Sequence, residues 1–265
     1  MPNIVVLVKQ VPDTYSERKL SEADHTLDRE AADAVLDEIN ERAIEEALQI
    51  KEASSGDVAG EVTVVSVGPD RATDAIRKAL SMGADKAVHV VDDALHGADI
   101  LQTAKVLAAA IGTVDGVDLV IAGNEASDGG GGAIPAILAE LLGYPQLTHA
   151  REVTVDGSSV KVVRETEDGV MRLEAQLPAV ISVGEKINEP RYPSFKGIMA
   201  AKKKPVATLG VADLGLDAGE FGLANAWSSV LEAAPKPPRE AGQRVEDDGS
   251  GGVKVAEYLI AQKLI

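Results

Sequence analysis

Cysteine is absent from the 265 residues. This excludes a disulfide, a thiolate nucleophile and a cysteine-ligated iron–sulfur cluster within the chain, and it accords with a reducing compartment. Aromatics make up only 3%, with one tryptophan, so the core has to be assembled from Val, Ile, Leu and Ala. Basic residues are scarce as well: 26 stand against 43 acidic ones, a net charge of −17. That field repels nucleic acid and acidic membrane surfaces. No apolar run approaches the length of a membrane span, so membrane insertion is not expected. The start, "MPNIVVLVKQVPDT", lacks a basic segment ahead of its apolar run and reads as a strand rather than a leader. A cytoplasmic protein is expected.

What is present is an alternation. "NIVVLVKQV", "EVTVVSVG", "KAVHVV" and "VDLVIAG" are short continuous apolar runs, the pattern of strands buried on both faces. Helical patterns lie between them. "INERAIEEALQIKEA" places Ile39, Ala43, Ala47 and Ile50 on one face and glutamates on the other. "DRATDAIRKALSMGA" is expected to cap at Gly83, and "ADILQTAKVLAAAIG" ends on Gly112. Strands alternating with helices predict an α/β fold, a doubly wound and mostly parallel sheet.

After Pro145 the pattern becomes apolar–polar alternation, with turn signals at Asp156-Gly157 and Asp168-Gly169. A β-hairpin layer is expected there, and "PAVISVG" is expected to rejoin the sheet. Residues 188–204, "NEPRYPSFKGIMAAKKK", then break regularity: Pro190 and Pro193 bar a helix, Phe195 follows, and a helical stretch ends in three lysines. By itself such a segment reads as an exposed loop with a solvated basic end. Two regions are expected: residues 1–204 as a nucleotide-binding domain, and residues 205–265 as a C-terminal arm with linker-like "APKPPREAG" and "EDDGSGG" before an apolar helix.

The strongest local signal for a ligand is "GNEASDGGGGAIPAILAELLG", which follows the "VDLVIAG" strand. Gly129, Gly130, Gly131 and Gly132 precede a helix, so backbone N–H groups are able to approach an anion at a helix start, beyond a strand end. The loop is neither a dinucleotide fingerprint nor a P-loop. His25, His89, His96 and His149 stand in unremarkable contexts, with His89 expected as a satisfied core residue. No metal-ligand cluster is expected, and the acidic stretch "SEADHTLDREAADAVLDE" reads as solvated charge. No set of groups converges on acid–base or nucleophilic chemistry, so holding a nucleotide is expected rather than attacking one.

Taken together, "VKQVPD", "INERAIEEALQIKE", "VVSVGP", "VDLVIAGNEASD", "LGYPQLT", "VVRETEDGVMRLEAQLPAVISV" and above all "NEPRYPSFKGIMAAKKK" resemble the beta subunits of electron transfer flavoproteins, over almost the whole chain. The resemblance implies a fold of the adenine-nucleotide hydrolase type. It implies a heterodimer with an alpha subunit that holds most of an FAD, wrapped by the C-terminal arm. It also implies a structural AMP, electrons arriving from acyl-CoA dehydrogenases and other dehydrogenases, and a quinone-reducing acceptor. The chain would be an electron-carrier subunit rather than an enzyme with its own turnover.

Carried over by motif, the AMP pocket would involve Leu7, Asp37, Glu38, Ile39, Asn40 and Val67. It would continue along the loop Gly123, Asn124, Glu125, Ala126, Ser127, Asp128, Gly129, Gly130, Gly131, Gly132, Ala133 and Ile134. Relatives often carry Asp, Gln and Thr in this loop, so phosphate contact here would fall to backbone N–H groups. Thr14 and Tyr15 would lie near the flavin. Residues 188–204 would be a partner-recognition segment with Phe195 as anchor, assisted by Tyr192, Ile198 and Met199, while Glu165 and Arg191 would act at the partner or flavin-domain interface. Two alternatives stay open: an electron-bifurcating relative with a second FAD in place of AMP, and a stand-alone adenine-nucleotide-binding protein.

Overall fold

The computed structural model describes residues 2–53, 60–234, 236–238, 242 and 244–265. Eleven strands and six α-helices alternate along the described residues. Strand β1 (Asn3–Leu7) is followed by a small antiparallel pair, β2 (Gln10–Pro12) and β3 (Ala34–Leu36), and by helix α1 (Glu38–Ala53). Then come β4 (Val62–Val67), α2 (Thr73–Met82), β5 (Lys86–Val90), α3 (Ile100–Gly112), β6 (Val117–Gly123) and α4 (Ile134–Leu142). The chain continues through β7 (Gln146–Asp156), β8 (Ser159–Thr166), β9 (Gly169–Gln176), β10 (Ala179–Val183), α5 (Phe195–Ala201), β11 (Val206–Leu209) and α6 (Gly251–Ala261).

Nine strands form one sheet in the order β11-β5-β4-β1-β6-β10-β7-β8-β9. The pairs from β11 to β7 are parallel, and β7-β8-β9 are antiparallel. The expected hairpins therefore extend the parallel sheet itself. Long β7 serves both parts, pairing parallel with β10 through Gln146 and Leu147 and antiparallel with β8 through residues such as Val153 and Val155. Strand β10 rejoins the sheet between β6 and β7, as its sequence predicts.

The core has two layers. Ile4, Val6, Val62 and Val64 face α1 and α2, against Ala43, Ile44, Ala47, Ile76 and Leu80. Val5, Val65, Val88 and Val120 face the other way, against Val106, Ala110, Leu138 and Ala139 of α3 and α4. Every one of these residues is aliphatic, as the scarcity of aromatics requires. The predicted apolar face of α1 is buried, but Glu45 and Glu46 on the supposedly solvated side are buried too, at 4% and 7% exposure. Residues 188–191 cover them.

The expected boundary after Lys204 is not where compactness ends. Strand β11 adds to the sheet edge beside β5, and Val211 and Phe221 enter the core, so the first compact unit runs through Leu231. Val206–Leu209 is too short and too polar at its flanks to have signalled a strand alone; a ready β5 edge recruits it. The second unit, Glu232–Ile265, contains α6, which buries no residue.

Candidate functional site

The order of strands reverses at β1. From it, β4, β5 and β11 lie to one side, and β6 and β10 to the other. In open α/β sheets a ligand crevice forms beyond the carboxyl ends at this reversal. Here Lys9 follows β1, Gly68 follows β4 and the glycine loop follows β6. A cleft of 1580 Å³ opens there, with Lys9, Val67, Gly68, Asp128 and Gly129 on its inner wall. Residues 20–30 and 91–99 and the Ser228–Val230 stretch form its outer walls.

The glycine loop is held from beneath. Asp37 is fully buried; one carboxylate oxygen accepts from the N–H groups of Ile39 (2.9 Å) and Asn40 (3.2 Å), and the other accepts from the N–H of Ser127 at 2.8 Å. The Asn40 side chain accepts from the Lys9 N–H at 2.7 Å. The Lys9 ammonium in turn reaches the Asp128 carboxylate at 2.7 Å, with Arg29 at 3.5 Å from its other oxygen. Burial pushes the Asp128 carboxyl up, but Lys9, Arg29 and the Gly129 N–H outweigh it and hold the group below the ordinary aspartate value. Arg18 donates to the Ser127 carbonyl at 2.8 Å.

Above these supports the loop is open. Gly130 and Gly132 have φ of +58° and +60°, the left-handed region that glycine enters without strain. The N–H groups of Gly131, Gly132 and Ala133, just ahead of α4, have no hydrogen-bond partner among the described residues. Asn124 Oδ1 and Ser127 Oγ are buried and likewise without a partner.

Val67, Asp128 and Gly129 line the cleft. Leu7, Asp37, Ile39 and Asn40 are buried beneath it, where Asp37 and Asn40 position the loop. Glu38 and Glu125 are exposed, Ala126 is half-buried, and Ile134 opens α4. Thr14 and Tyr15 are exposed, the tyrosine at 98%. Glu165 pairs with Arg151 across the β7–β8 ladder.

Several functional contacts had no sequence assignment. The acidic stretch read as solvated contains Asp24, which pairs with His96 at 2.7 Å; Asp37, near the end of the same stretch, is placed at the pocket by the resemblance alone. The hydrogen bond with His96, then those from Thr26, hold the Asp24 carboxyl below its ordinary value. His25, with φ +56°, pairs through Nδ1 with the Val230 carbonyl at 3.2 Å. These contacts fasten residues 20–30 over the cleft. Lys9 stands in the quoted "VKQVPD" motif, directly after a strand end, which was the available signal. His89 is buried as expected, but its Nε2 has no partner among the described residues, so it is not fully satisfied.

Residues 188–204 form a second feature. The Asn188 amide donates to Glu46 at 3.0 Å and to the Arg42 carbonyl at 3.1 Å. The Arg191 guanidinium bonds Glu45 at 2.7 and 3.0 Å and Glu52 at 2.6 and 3.0 Å. Burial pushes Glu45 up, but the Arg191 bonds bring it below its ordinary value. Hydrogen bonding to Glu52 and Glu45 raises Arg191 further, and burial raises Glu46. Ser194 caps α5 by accepting from the Gly197 N–H. Tyr192, Phe195, Ile198 and Met199 stand exposed, Phe195 at 81%. The basic end is not wholly solvated: the Lys204 ammonium donates to the Leu80 and Ala84 carbonyls at 2.9 and 2.6 Å, closing the C-terminal end of α2.

Comparison with known proteins agrees with this architecture. The family profile described as the electron transfer flavoprotein domain matches residues 24–214. Proteins named electron transfer flavoprotein subunit beta from Mycobacterium tuberculosis and Mycobacterium bovis are each 64% identical over 266 aligned residues, covering all of both chains. The protein of that name from Megasphaera elsdenii is 37% identical, covering 99% of each chain. A chain matched end to end at this identity belongs to the electron transfer flavoprotein family, among its beta subunits.

Proposed function

We propose that the chain is the beta half of a heterodimeric electron carrier. It would hold an adenine nucleotide, AMP, against the open side of its glycine loop, and complete an FAD site together with an alpha subunit. The observation that carries this reading is the end-to-end match to proteins named as beta subunits. FAD, when bound, supplies the electron acceptance and donation; this chain's residues bind, orient and recognise.

What supports the nucleotide assignment is the chemistry of the loop. Three unpartnered N–H groups before α4 suit a phosphate, and the positive end of that helix favours an anion. The unpartnered Asn124 Oδ1 and Ser127 Oγ suit the amino and hydroxyl donors of a nucleoside. Lys9 and Arg29 neutralise Asp128, so the carboxylate does not repel a phosphate nearby. The exposed Tyr15 fits a residue completed by a second chain.

Electrons would arrive from dehydrogenases, acyl-CoA dehydrogenases among them, docking on residues 188–204, and leave to a quinone-reducing acceptor. Among the described residues no helix is long and apolar enough to cross a membrane, and a cytoplasmic location is proposed. The test is a cofactor count after co-purification with the alpha subunit. One FAD and one AMP per heterodimer are expected, with little FAD on the chain alone. Two FAD and no AMP would overturn the AMP assignment.

A further inference from the structure

We infer that Arg191 is a positioning residue: its guanidinium, locked onto Glu45 and Glu52 of α1, fixes residues 188–194 so that the apolar side chains of α5 face outward in one arrangement. The inference rests on the reading of this segment as the docking site for a partner dehydrogenase, and it assigns Arg191 to the scaffold beneath the docking surface rather than to contact with the partner.

The geometry is that of a bracket fastened at both ends. On the N-terminal side, Arg191 uses four N–H donors on the two carboxylates, and its own backbone N–H donates to Glu45 at 3.1 Å. A guanidinium has five such donors, so little is left for another protein. Asn188 adds the contact to Glu46 one residue further along the same helix. On the C-terminal side, Arg77 of α2 donates to the Ala201 and Lys204 carbonyls at 2.6 and 2.9 Å. Between these ends α5 lies directly on α2. A Cβ added at Gly197 would sit 2.4 Å from the Ser81 carbonyl oxygen, so only glycine permits the approach.

Glu45 is almost wholly buried, with its side chain at 6% exposure, and the Arg191 side chain is one-third exposed. Charge-assisted, two-pronged bonds of this kind are strong and directional. A partner that meets a fixed surface spends less on ordering it. Tyr192 and Phe195, at 96% and 81% exposure, have little packing of their own to hold them in place, so their placement depends on the bracket.

The test uses the FAD-loaded heterodimer with four variants: Arg191→Ala, Arg191→Lys, Glu45→Gln/Glu52→Gln, and the combination of Arg191→Ala with both glutamine changes. Two quantities are read: amide hydrogen exchange over residues 194–201, and flavin reduction as a function of the concentration of an acyl-CoA dehydrogenase reduced by butyryl-CoA. Arg191→Ala and the double glutamine variant are each expected to speed exchange about tenfold and to raise the half-saturating dehydrogenase concentration about tenfold, with the maximal rate kept. Arg191→Lys keeps the charge without the fork and should fall between. In the combined variant Arg191→Ala should add little, because the carboxylates it grips are already replaced by weaker neutral acceptors.

Unchanged exchange in Arg191→Ala overturns the inference. So does weakened docking in Arg191→Ala beside normal docking in the double glutamine variant, which would mean that Arg191 touches the partner. Phe195→Ala tests the underlying reading separately. If it leaves docking intact while Arg191→Ala speeds exchange, the bracket stands and the docking assignment falls. If Phe195→Ala weakens docking but the faster-exchanging Arg191→Ala does not, the inference falls.

Discussion

The Asp37 carboxylate accepts the backbone N–H of Ser127 at 2.8 Å, from a position ninety residues earlier in the chain and wholly out of solvent. The same group starts α1. One side chain therefore sets both the first helix and the loop proposed to cradle a phosphate. Asp37→Ala removes a helix cap and leaves the part-buried Ser127 N–H unpaired, a cost of about 2 kcal/mol. The expected result is a lower melting temperature together with lower AMP content, read by thermal unfolding and by nucleotide released on denaturation. A normal nucleotide content would show that the loop keeps its shape unaided.

Neighbouring glycines of the loop should respond differently. Nothing lies within 4 Å of a Cβ built on Gly129, whereas Gly130 has φ +58°. Gly129→Ala should leave stability and AMP content close to the parent. Gly130→Ala should cost roughly 1 kcal/mol, the penalty of a left-handed backbone for an L side chain, and Gly130→Val should also reduce AMP occupancy. Equal behaviour at both positions in a nucleotide titration would contradict the cradle geometry.

Phe195 is so exposed that its loss should barely touch the fold: Phe195→Ala should shift stability by less than about 0.5 kcal/mol. Loss of a central anchor typically costs about 2 kcal/mol of binding, roughly 30-fold. Flavin reduction by the dehydrogenase should slow at limiting concentration, while reduction by dithionite continues at the parental rate. Equal loss in both assays would locate the damage at the flavin instead.

His89 predicts a pH dependence. Burial pushes its pKa below the ordinary 6.5, against the opposing hydrogen bonds to Gly68 and Pro69 and the charge of Asp70. The unfolded chain takes up a proton near 6.5 and the folded one only at lower pH, so around that pH the unfolded state binds more protons and stability falls as pH drops. Asp128 and Glu45, with lowered values, act in the same direction only at more acidic pH. Urea midpoints should therefore decline between about pH 7.5 and about pH 5.5, and His89→Gln should flatten the decline. An identical slope in the variant would assign it to other groups.

The terminal helix gives a simpler test. Truncation before Val253 removes the apolar part of α6, which lies in the second unit. Association with the alpha subunit should weaken, while the first unit keeps its circular dichroism and its cooperative unfolding. Unchanged heterodimer affinity would remove the helix from the interface.

Much of this molecule was legible in its residues because the responsible interactions are local. Apolar runs of β1, β4, β5 and β6 announce buried parallel strands, the Ile39–Ala43–Ala47–Ile50 spacing announces the face of α1, and Gly129 to Gly132 mark the connection from β6 to α4. These depend on backbone geometry and side-chain periodicity, which a short stretch of chain carries within itself. What the tertiary structure decided were pairings across long separations. Glu45 and Glu46 read as solvated charge until Asn188 and Arg191 are folded over them; Lys204 reads as a solvated basic tail until it meets the open carbonyls of α2; Asp24 and His96 read as unrelated until the loop is laid across the cleft. A charged side chain is locally compatible with solvent or with a partner alike, and only the approach of a distant segment, with the burial it brings, selects between them.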